Sequence, residues 1–203
     1  MTTIATASRI PIDGPVETPW KLPYRGNVGM ACLIIAESAI FIIFVVAYIY
    51  YIGKSLSGPT PKQVLELPIF GTICLLSSSI FVHFAVSNLR KDNRRGCTLN
   101  LAATVLLGTI FLATTAQEWY HLIHDEGLTI KTNLFGTTYY SLVGLHATHV
   151  VIGLIMLSLT LGLSLTGHVK EEHSEKLEVL SLYWHFVDAV WVVVFLVVYV
   201  IGR

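Results

Sequence analysis

Residues 183–191, YWHFVDAVW, place a histidine and an acid inside a segment that is otherwise apolar almost to the end of the chain. On a helix, His185 and Asp188 are three positions apart and share a face, with Trp184 and Trp191 beside them. A charged side chain near the centre of a membrane helix costs about 2.5–3.5 kcal/mol on insertion scales. We therefore expect Asp188 to face protein, water or a partner. Two uses remain open: the two polar groups satisfy each other, or they take part directly in chemistry.

The composition of the chain is that of a membrane protein. Of its 203 residues, 54% are hydrophobic and 13% are charged, and the mean hydropathy is +0.67. Five apolar runs are long enough to cross a bilayer as helices. The sequence therefore predicts an all-α, polytopic membrane protein, in which a proline-containing segment, 1–27, precedes a five-helix bundle, 28–203. The predicted spans are 28–52, 68–89, 97–121, 137–165 and 179–201.

Charge and cysteine usage exclude several classes of function. The chain has 13 basic and 13 acidic residues, and a protein without net positive charge is not expected to bind nucleic acid. Its cysteines are far apart and form no Cys-x-x-Cys or Cys/His spacing, so neither a disulfide framework nor a zinc site is indicated. They are Cys32, Cys74 and Cys97.

The distribution of basic residues predicts the orientation. If the spans alternate, nine of the 13 lysines and arginines fall on the side of the N-terminus and four on the other side. Lysine and arginine are enriched on the cytoplasmic side of membrane proteins. We therefore predict a cytoplasmic N-terminus and an external C-terminus.

Four of the five predicted spans carry acids or histidines well inside the apolar run. Glu37, His149 and Asp188 fall at similar depths, which predicts a shared polar cluster within the bundle. The second span offers the serines 77–79 and His83 instead, and we expect the serines to form a close-packed surface with helix-to-helix hydrogen bonds. The candidate polar residues inside the other spans are Glu37, Gln117, Glu118, His121, His146, His149, His185 and Asp188.

Two spacings resemble metal-ligand motifs. His146 and His149 share a helical face, and Glu118 with His121 forms a Glu-x-x-His pair of the kind found in di-iron bundles. Those bundles need two such pairs and two further glutamates, whereas this sequence has one pair. The His-Glu-x-x-His motif of zinc proteases is absent. We therefore predict no metal site in this chain, and histidines that are neutral hydrogen-bonding groups.

Two blocks resemble a known family. Residues 184–191, WHFVDAVW, resemble the last-helix signature of subunit III of the haem-copper respiratory oxidases. Residues 136–140, GTTYY, and 144–153, GLHATHVVIG, resemble the penultimate helix of that family, with its Gly-x-His-x-x-His-Val core.

Weaker similarity extends the resemblance from about residue 28 to the end of the chain. Gln117 and Glu118 resemble the end of the preceding family helix. Glu37 resembles the carbodiimide-reactive glutamate of the family, although the order of Glu37 and Ser38 is shifted. Five spans match the short bacterial form, whereas the longer form has two more helices at its start.

The resemblance implies an accessory subunit in the bacterial inner membrane. It implies no haem or copper in this chain, because those cofactors belong to the catalytic subunit I and to subunit II. It also implies contact with subunit I, association with subunit II and a small subunit IV, and phospholipids held in a cleft between helices. The chain would support assembly and sustained proton uptake during oxygen reduction. The candidate polar and lipid-cleft residues are Glu37, Gln117, Glu118, His121, His146, His149, Trp184, His185 and Asp188.

Two other classes of function compete with this expectation. One is a small proton-coupled transporter in which Glu37, His149 and Asp188 relay protons, although transporters commonly show internal repeats and this sequence has none. The other is an intramembrane metal enzyme, weakened by the incomplete ligand set. As an isolated chain the protein has no catalytic centre of its own that the sequence reveals. The electron donor of the implied complex, cytochrome c or a quinol, is left open.

Overall fold

A computed structural model describes residues 24–55 and 58–202, apart from the side chain of Gln63. Most of the predicted N-terminal segment, residues 1–23, therefore lies outside the described part of the chain. The described residues contain helices and no β-strand. In chain order the helices are α1 (Arg25–Tyr51), the single turn α2 (Pro61–Val64), α3 (Ile69–Arg90), α4 (Arg94–His124), α5 (Leu134–Leu165) and α6 (Ser174–Phe195). A 3₁₀ turn, Glu171–His173, precedes α6, and a π-helix, Leu196–Ile201, continues it.

Five of these helices are long and apolar enough to cross a membrane, which confirms the predicted fold class. They extend beyond the predicted spans, since α4 begins at Arg94 instead of residue 97 and α5 at Leu134 instead of residue 137. Side-chain caps explain both early starts. Asn93 accepts a hydrogen bond from the backbone N–H of Gly96 at 3.1 Å, and Asn133 does the same for the third residue after it. Hydropathy locates the apolar part of a helix, whereas the cap determines where the helix begins.

Four of the spanning helices form a closed bundle, and the fifth lies outside it. Helices α3, α4, α5 and α6 pack in that order, and α6 packs back on α3. Helix α1 packs against α5 and α6. It buries only Phe41 and Tyr48, so a narrow face attaches it to the rest of the protein.

The indole ring of Trp184 lies at the centre of the bundle and is fully buried. A methyl group built on Gly108 of α4 or on Gly153 of α5 would come within 3.0 Å of this ring. The indole N–H donates to the hydroxyl of Ser78 on α3 at 2.8 Å. One α6 side chain therefore contacts the other three helices of the bundle, and its polar atom is satisfied.

We predict that Gly153→Ala destabilises the protein by about 1–3 kcal/mol, because an added methyl group overpacks a rigid aromatic ring. Gly162→Ala on the same helix is the matched control, since nothing lies within 4 Å of a methyl group there. Thermal unfolding of the purified protein in detergent, followed by circular dichroism, measures the difference. Equal midpoints of thermal unfolding for the two variants would show that an added methyl group at residue 153 does not overpack the ring of Trp184.

Candidate functional site

The first polar contact inside the bundle joins α1 to α5. The Nε2 atom of His149 lies 3.1 Å from a carboxylate oxygen of Glu37. The Nδ1 atom of the same ring lies 2.8 Å from the backbone carbonyl oxygen of Leu145, and the ring of Phe41 packs against it at 4.9 Å between centroids. The side chain of Glu37 is 25% exposed and that of His149 is 10% exposed. The carboxyl group is therefore paired within the span while one side of it remains accessible.

The hydrogen bonds of His149 restrict where its protons lie. A carbonyl oxygen only accepts, so Nδ1 carries a hydrogen and donates it to Leu145. The contact from Nε2 to Glu37 then needs one proton. Either a protonated carboxyl donates to a neutral ring, or an imidazolium donates to a carboxylate. The pair is electrically neutral in both arrangements, which avoids an uncompensated charge in the membrane.

The second polar contact joins α3 to α6. The hydroxyl oxygen of Ser79 lies 3.0 Å from Nδ1 of His185 and is hydrogen-bonded to a carboxylate oxygen of Asp188. Asp188 is only 4% exposed. The sequence left open whether the two α6 residues satisfy each other, and the structure places a serine hydroxyl between them. Ser78 and Ser79 form the helix-to-helix hydrogen bonds that the sequence predicts for the serine triplet.

The third polar contact ties α4, α5 and the π-helix together. The hydroxyl groups of Tyr139 and Tyr199 donate to the same carboxylate oxygen of Glu118, at 3.1 and 2.9 Å. The two tyrosine oxygens are 3.2 Å apart. Three chain segments therefore meet at one carboxylate.

The remaining candidate residues divide between the surface and the core. Gln117 and His121 are exposed and line a groove of about 360 Å³ beside Pro68, and His121 lies 3.6 Å from Asp125. His146 is 1% exposed and stacks on Trp191 at 4.9 Å between ring centroids. Neither nitrogen of the His146 ring has a hydrogen-bond partner among the described residues.

The structure divides the shared polar cluster expected from the sequence into separate hydrogen-bonded groups. Glu37 and His149 bond each other between α1 and α5, whereas Asp188 bonds Ser79 between α6 and α3. The division follows from the packing, because α1 lies outside the closed bundle. The depth of a residue within its span can be estimated from the sequence. Which helices lie next to each other cannot.

The tyrosine partners of Glu118 were missed by the sequence analysis. Tyrosines near the ends of membrane helices usually lie at the interface with water. Tyr139 and Tyr199 are instead almost fully buried, at 0% and 1% exposure. Tyr199 lies in the π-helix, which hydropathy does not distinguish from an α-helix.

The described residues contain no group of three or more histidine, cysteine, aspartate or glutamate side chains that could hold a metal ion. Glu118 and His121, the Glu-x-x-His pair, have different partners: two tyrosines and Asp125 respectively. These observations define a class of protein: a five-helix integral membrane protein whose internal carboxyl groups, Glu37, Glu118 and Asp188, bond across helix interfaces.

Comparison with known proteins identifies the family. The sequence model described as cytochrome c oxidase subunit III matches residues 24–203. Subunit 3 of cytochrome c oxidase from Synechocystis sp. is 37% identical over 177 residues, which cover 85% of this chain and 74% of that protein. The subunit 3 protein of Alkalihalophilus pseudofirmus is 33% identical over 168 residues, which cover 82% of this chain and 82% of that protein. The subunit 3 protein of Bacillus subtilis is 29% identical over 190 residues, which cover 91% of this chain and 92% of that protein.

The chain belongs to the cytochrome c oxidase subunit III family. It is therefore a subunit of a haem-copper oxidase, a proton-translocating oxidoreductase complex. The transporter and metal-enzyme alternatives receive no support from these comparisons.

We predict that the Glu37–His149 contact is energetically coupled. Glu37→Leu or His149→Phe alone leaves a polar partner unpaired inside the span and costs about 1–3 kcal/mol. The double variant removes both polar groups, so its cost is smaller than the sum of the two. Free energies of unfolding of the four proteins in detergent measure this coupling. Combining Glu37→Leu with Tyr199→Phe is the control, since Tyr199 bonds elsewhere and the two costs should add within about 0.5 kcal/mol. Strict additivity of Glu37→Leu and His149→Phe would contradict the prediction.

Proposed function

We propose that the chain is the accessory, cofactor-free subunit of its oxidase. It packs against the haem-bearing subunit I, in an assembly with subunit II and a small subunit IV, and those partners hold the haem and copper. The family match over residues 24–203 carries this proposal, because it covers all five spanning helices. The polar contacts support it, since the three acids inside the spans, Glu37, Glu118 and Asp188, are each hydrogen-bonded to side chains of this chain. The names of the relatives support cytochrome c as the electron donor of the complex.

Bound phospholipid is part of the proposal. Beside Glu37, helices α1 and α6 enclose an apolar groove of about 210 Å³ whose walls include Phe41, Val45, Val190 and Val193. A groove of this composition suits an acyl chain, and the partly exposed Glu37 precedes Phe41, a residue of its wall, by one turn of α1. Glu37 would therefore contact lipid, while His149 holds its carboxyl group from the protein side.

The other candidate residues are proposed to act in two ways. Gln117 and His121, with one edge of Glu118, face the groove beside Pro68 and would meet lipid or a neighbouring subunit. His146 and Trp184 lie in the core and would act through packing. The polar pair His185 and Asp188 is considered separately below.

We further propose that the protein lies in the bacterial inner membrane with its N-terminus in the cytoplasm. Nine of 13 basic residues support that orientation. Arg90, at the end of α3 that would face the cytoplasm, pairs with Glu178 of α6 at 2.5 Å. The bacterial relatives support the location.

Purification through an affinity tag on this chain tests the assembly. We expect the haem-bearing subunit to be recovered with it from the native membrane in a one-to-one ratio, measured by haem absorbance and mass spectrometry. An untagged strain is the control for non-specific recovery. A stable chain isolated from that membrane without haem would contradict the proposal.

Substitutions of Glu37 test its proposed structural role. We predict that Glu37→Gln leaves assembly, oxygen reduction and proton pumping unchanged, because its amide still donates to Nε2 of His149. Glu37→Ala should lower the phospholipid content per haem and shorten the working life of the oxidase, because a packing contact and a hydrogen bond are lost together. Lipid analysis, turnovers before inactivation and pumping in vesicles measure these effects. If Glu37→Gln abolishes pumping in an assembled oxidase, Glu37 is a proton relay and the structural role is wrong.

A further inference from the structure

Asp188 is a buried acid with half of its hydrogen-bonding capacity unused. One carboxylate oxygen, Oδ2, bonds the hydroxyl of Ser79, whereas Oδ1 is buried and has no partner among the described residues. A carboxylate in such a place carries a charge that one hydrogen bond poorly compensates. Protonation removes that charge. The site can therefore exist in two states that differ by one proton.

Ser79 connects this carboxyl group to an imidazole. Its hydroxyl oxygen is within hydrogen-bond distance of both Asp188 Oδ2 and His185 Nδ1. A hydroxyl group has one hydrogen, so it donates to one neighbour and accepts from the other. In one arrangement His185 donates to Ser79, and Ser79 donates to an ionised Asp188. In the other, a protonated Asp188 donates to Ser79, and Ser79 donates to His185. The positions of His185, Ser79 and Asp188 are compatible with both arrangements of the protons.

The two histidines beside this chain of bonds lie toward the Arg90 end of the bundle. His185 is half-buried and precedes Asp188 on α6. His83 is exposed and follows Ser79 by one turn of α3, on the same face. We call Ser79, His83, His185 and Asp188 together the α3/α6 seam. The ion pair between Arg90 and Glu178 lies at its end.

The acids and histidines on α1 and α5, the other long helices that pack most closely against α6, have contacts of their own. On α1 and α5, Glu37 and His149 bond each other, and Tyr139 bonds Glu118. His146 stacks on Trp191. Of the described contacts, only Ser79 and His185 link Asp188 to a further proton-accepting group.

We propose that Asp188 is a proton-storage site that exchanges with the cytoplasmic aqueous phase through the α3/α6 seam. A proton from water binds Nε2 of His185. The proton on Nδ1 then moves to the oxygen of Ser79 as the hydroxyl proton of Ser79 moves to Oδ2 of Asp188. The net charge of the three groups rises from −1 to 0, and His185 ends neutral with its proton on Nε2. No electron is transferred.

This inference rests on the proposed orientation and extends the proposed function. In a proton-translocating complex, the site would store one proton in the cytoplasmic half of the membrane without a metal or cofactor. Storage requires two states of similar free energy. The unpaired Oδ1 disfavours the ionised state, and the hydrogen bond from Ser79 favours it, so the two effects oppose each other.

Infrared difference spectroscopy of the intact, purified oxidase tests the storage site. We expect the carbonyl stretch of one protonated carboxyl group to appear when the pH is lowered, and to be missing in Asp188→Asn. The stretch should remain in Glu37→Gln, which removes a different acid of the same chain. A stretch that does not change with pH, or that persists in Asp188→Asn, would overturn the proposal.

Ser79→Ala tests the relay without removing the acid. We expect the carbonyl stretch to appear about 100-fold more slowly after a rapid pH jump, a size typical of losing a positioned proton-transfer group. Ser38→Ala is the matched control, because the Ser38 hydroxyl donates to Ile34 of its own helix at 2.6 Å. Equal rates for the two variants would exclude Ser79 as the relay.

A pH jump on one side of reconstituted vesicles tests the direction of access. We expect the carboxyl group to respond to the side that holds the N-terminus, and a faster response to the other side would overturn the proposed route. The same preparations report haem recovered with the tagged chain. Haem recovery therefore tests the proposed function, and the infrared signal tests the storage site. Either proposal can be contradicted while the other is supported.

Discussion

The contact of Trp184 with its neighbours sets the geometry on which the rest of the bundle depends. Its ring occupies space that Gly108 and Gly153 leave free on α4 and α5, and its N–H bonds Ser78 on α3. The rotation of α6 about its own axis is thereby determined. One turn later along that helix, Asp188 must face α3, where Ser79 meets it. Steric packing at the centre thus selects the partner of the buried acid.

The hydrocarbon of the membrane supplies no hydrogen bonds to a side chain, so each acid inside the spans bonds to partners within the protein. Glu37 is neutralised by a shared proton with His149, and Glu118 accepts two tyrosine hydroxyl groups. Asp188 alone among these three acids has a fully buried oxygen without a described partner. All three acids therefore connect helices, and Asp188 is in addition left in an environment that permits a change of protonation.

The sequence predicted the five spans and the identities of most polar groups, because hydropathy and residue type are local properties. It did not predict the pairing of Asp188 with Ser79, which depends on how α6 is rotated against α3. It also missed Tyr199, which is buried within a π-helix. The caps at Asn93 and Asn133 lie outside the apolar runs, and the helices that they cap begin three residues before the predicted spans. Local patterns thus determined the elements, and tertiary packing determined the contacts.

The peripheral position of α1 has a consequence for biosynthesis. This helix is made before the other spans, yet it packs against α5 and α6, which are made last. Glu37 and His149 are separated by 112 positions in the chain. During translation the first helix therefore enters the bilayer with its carboxyl group unpaired, and an unpaired acid in lipid is stable only when it is protonated. The carboxyl group of Glu37 can meet its imidazole partner only after α5 has been made, and the second surface against which α1 packs follows with α6.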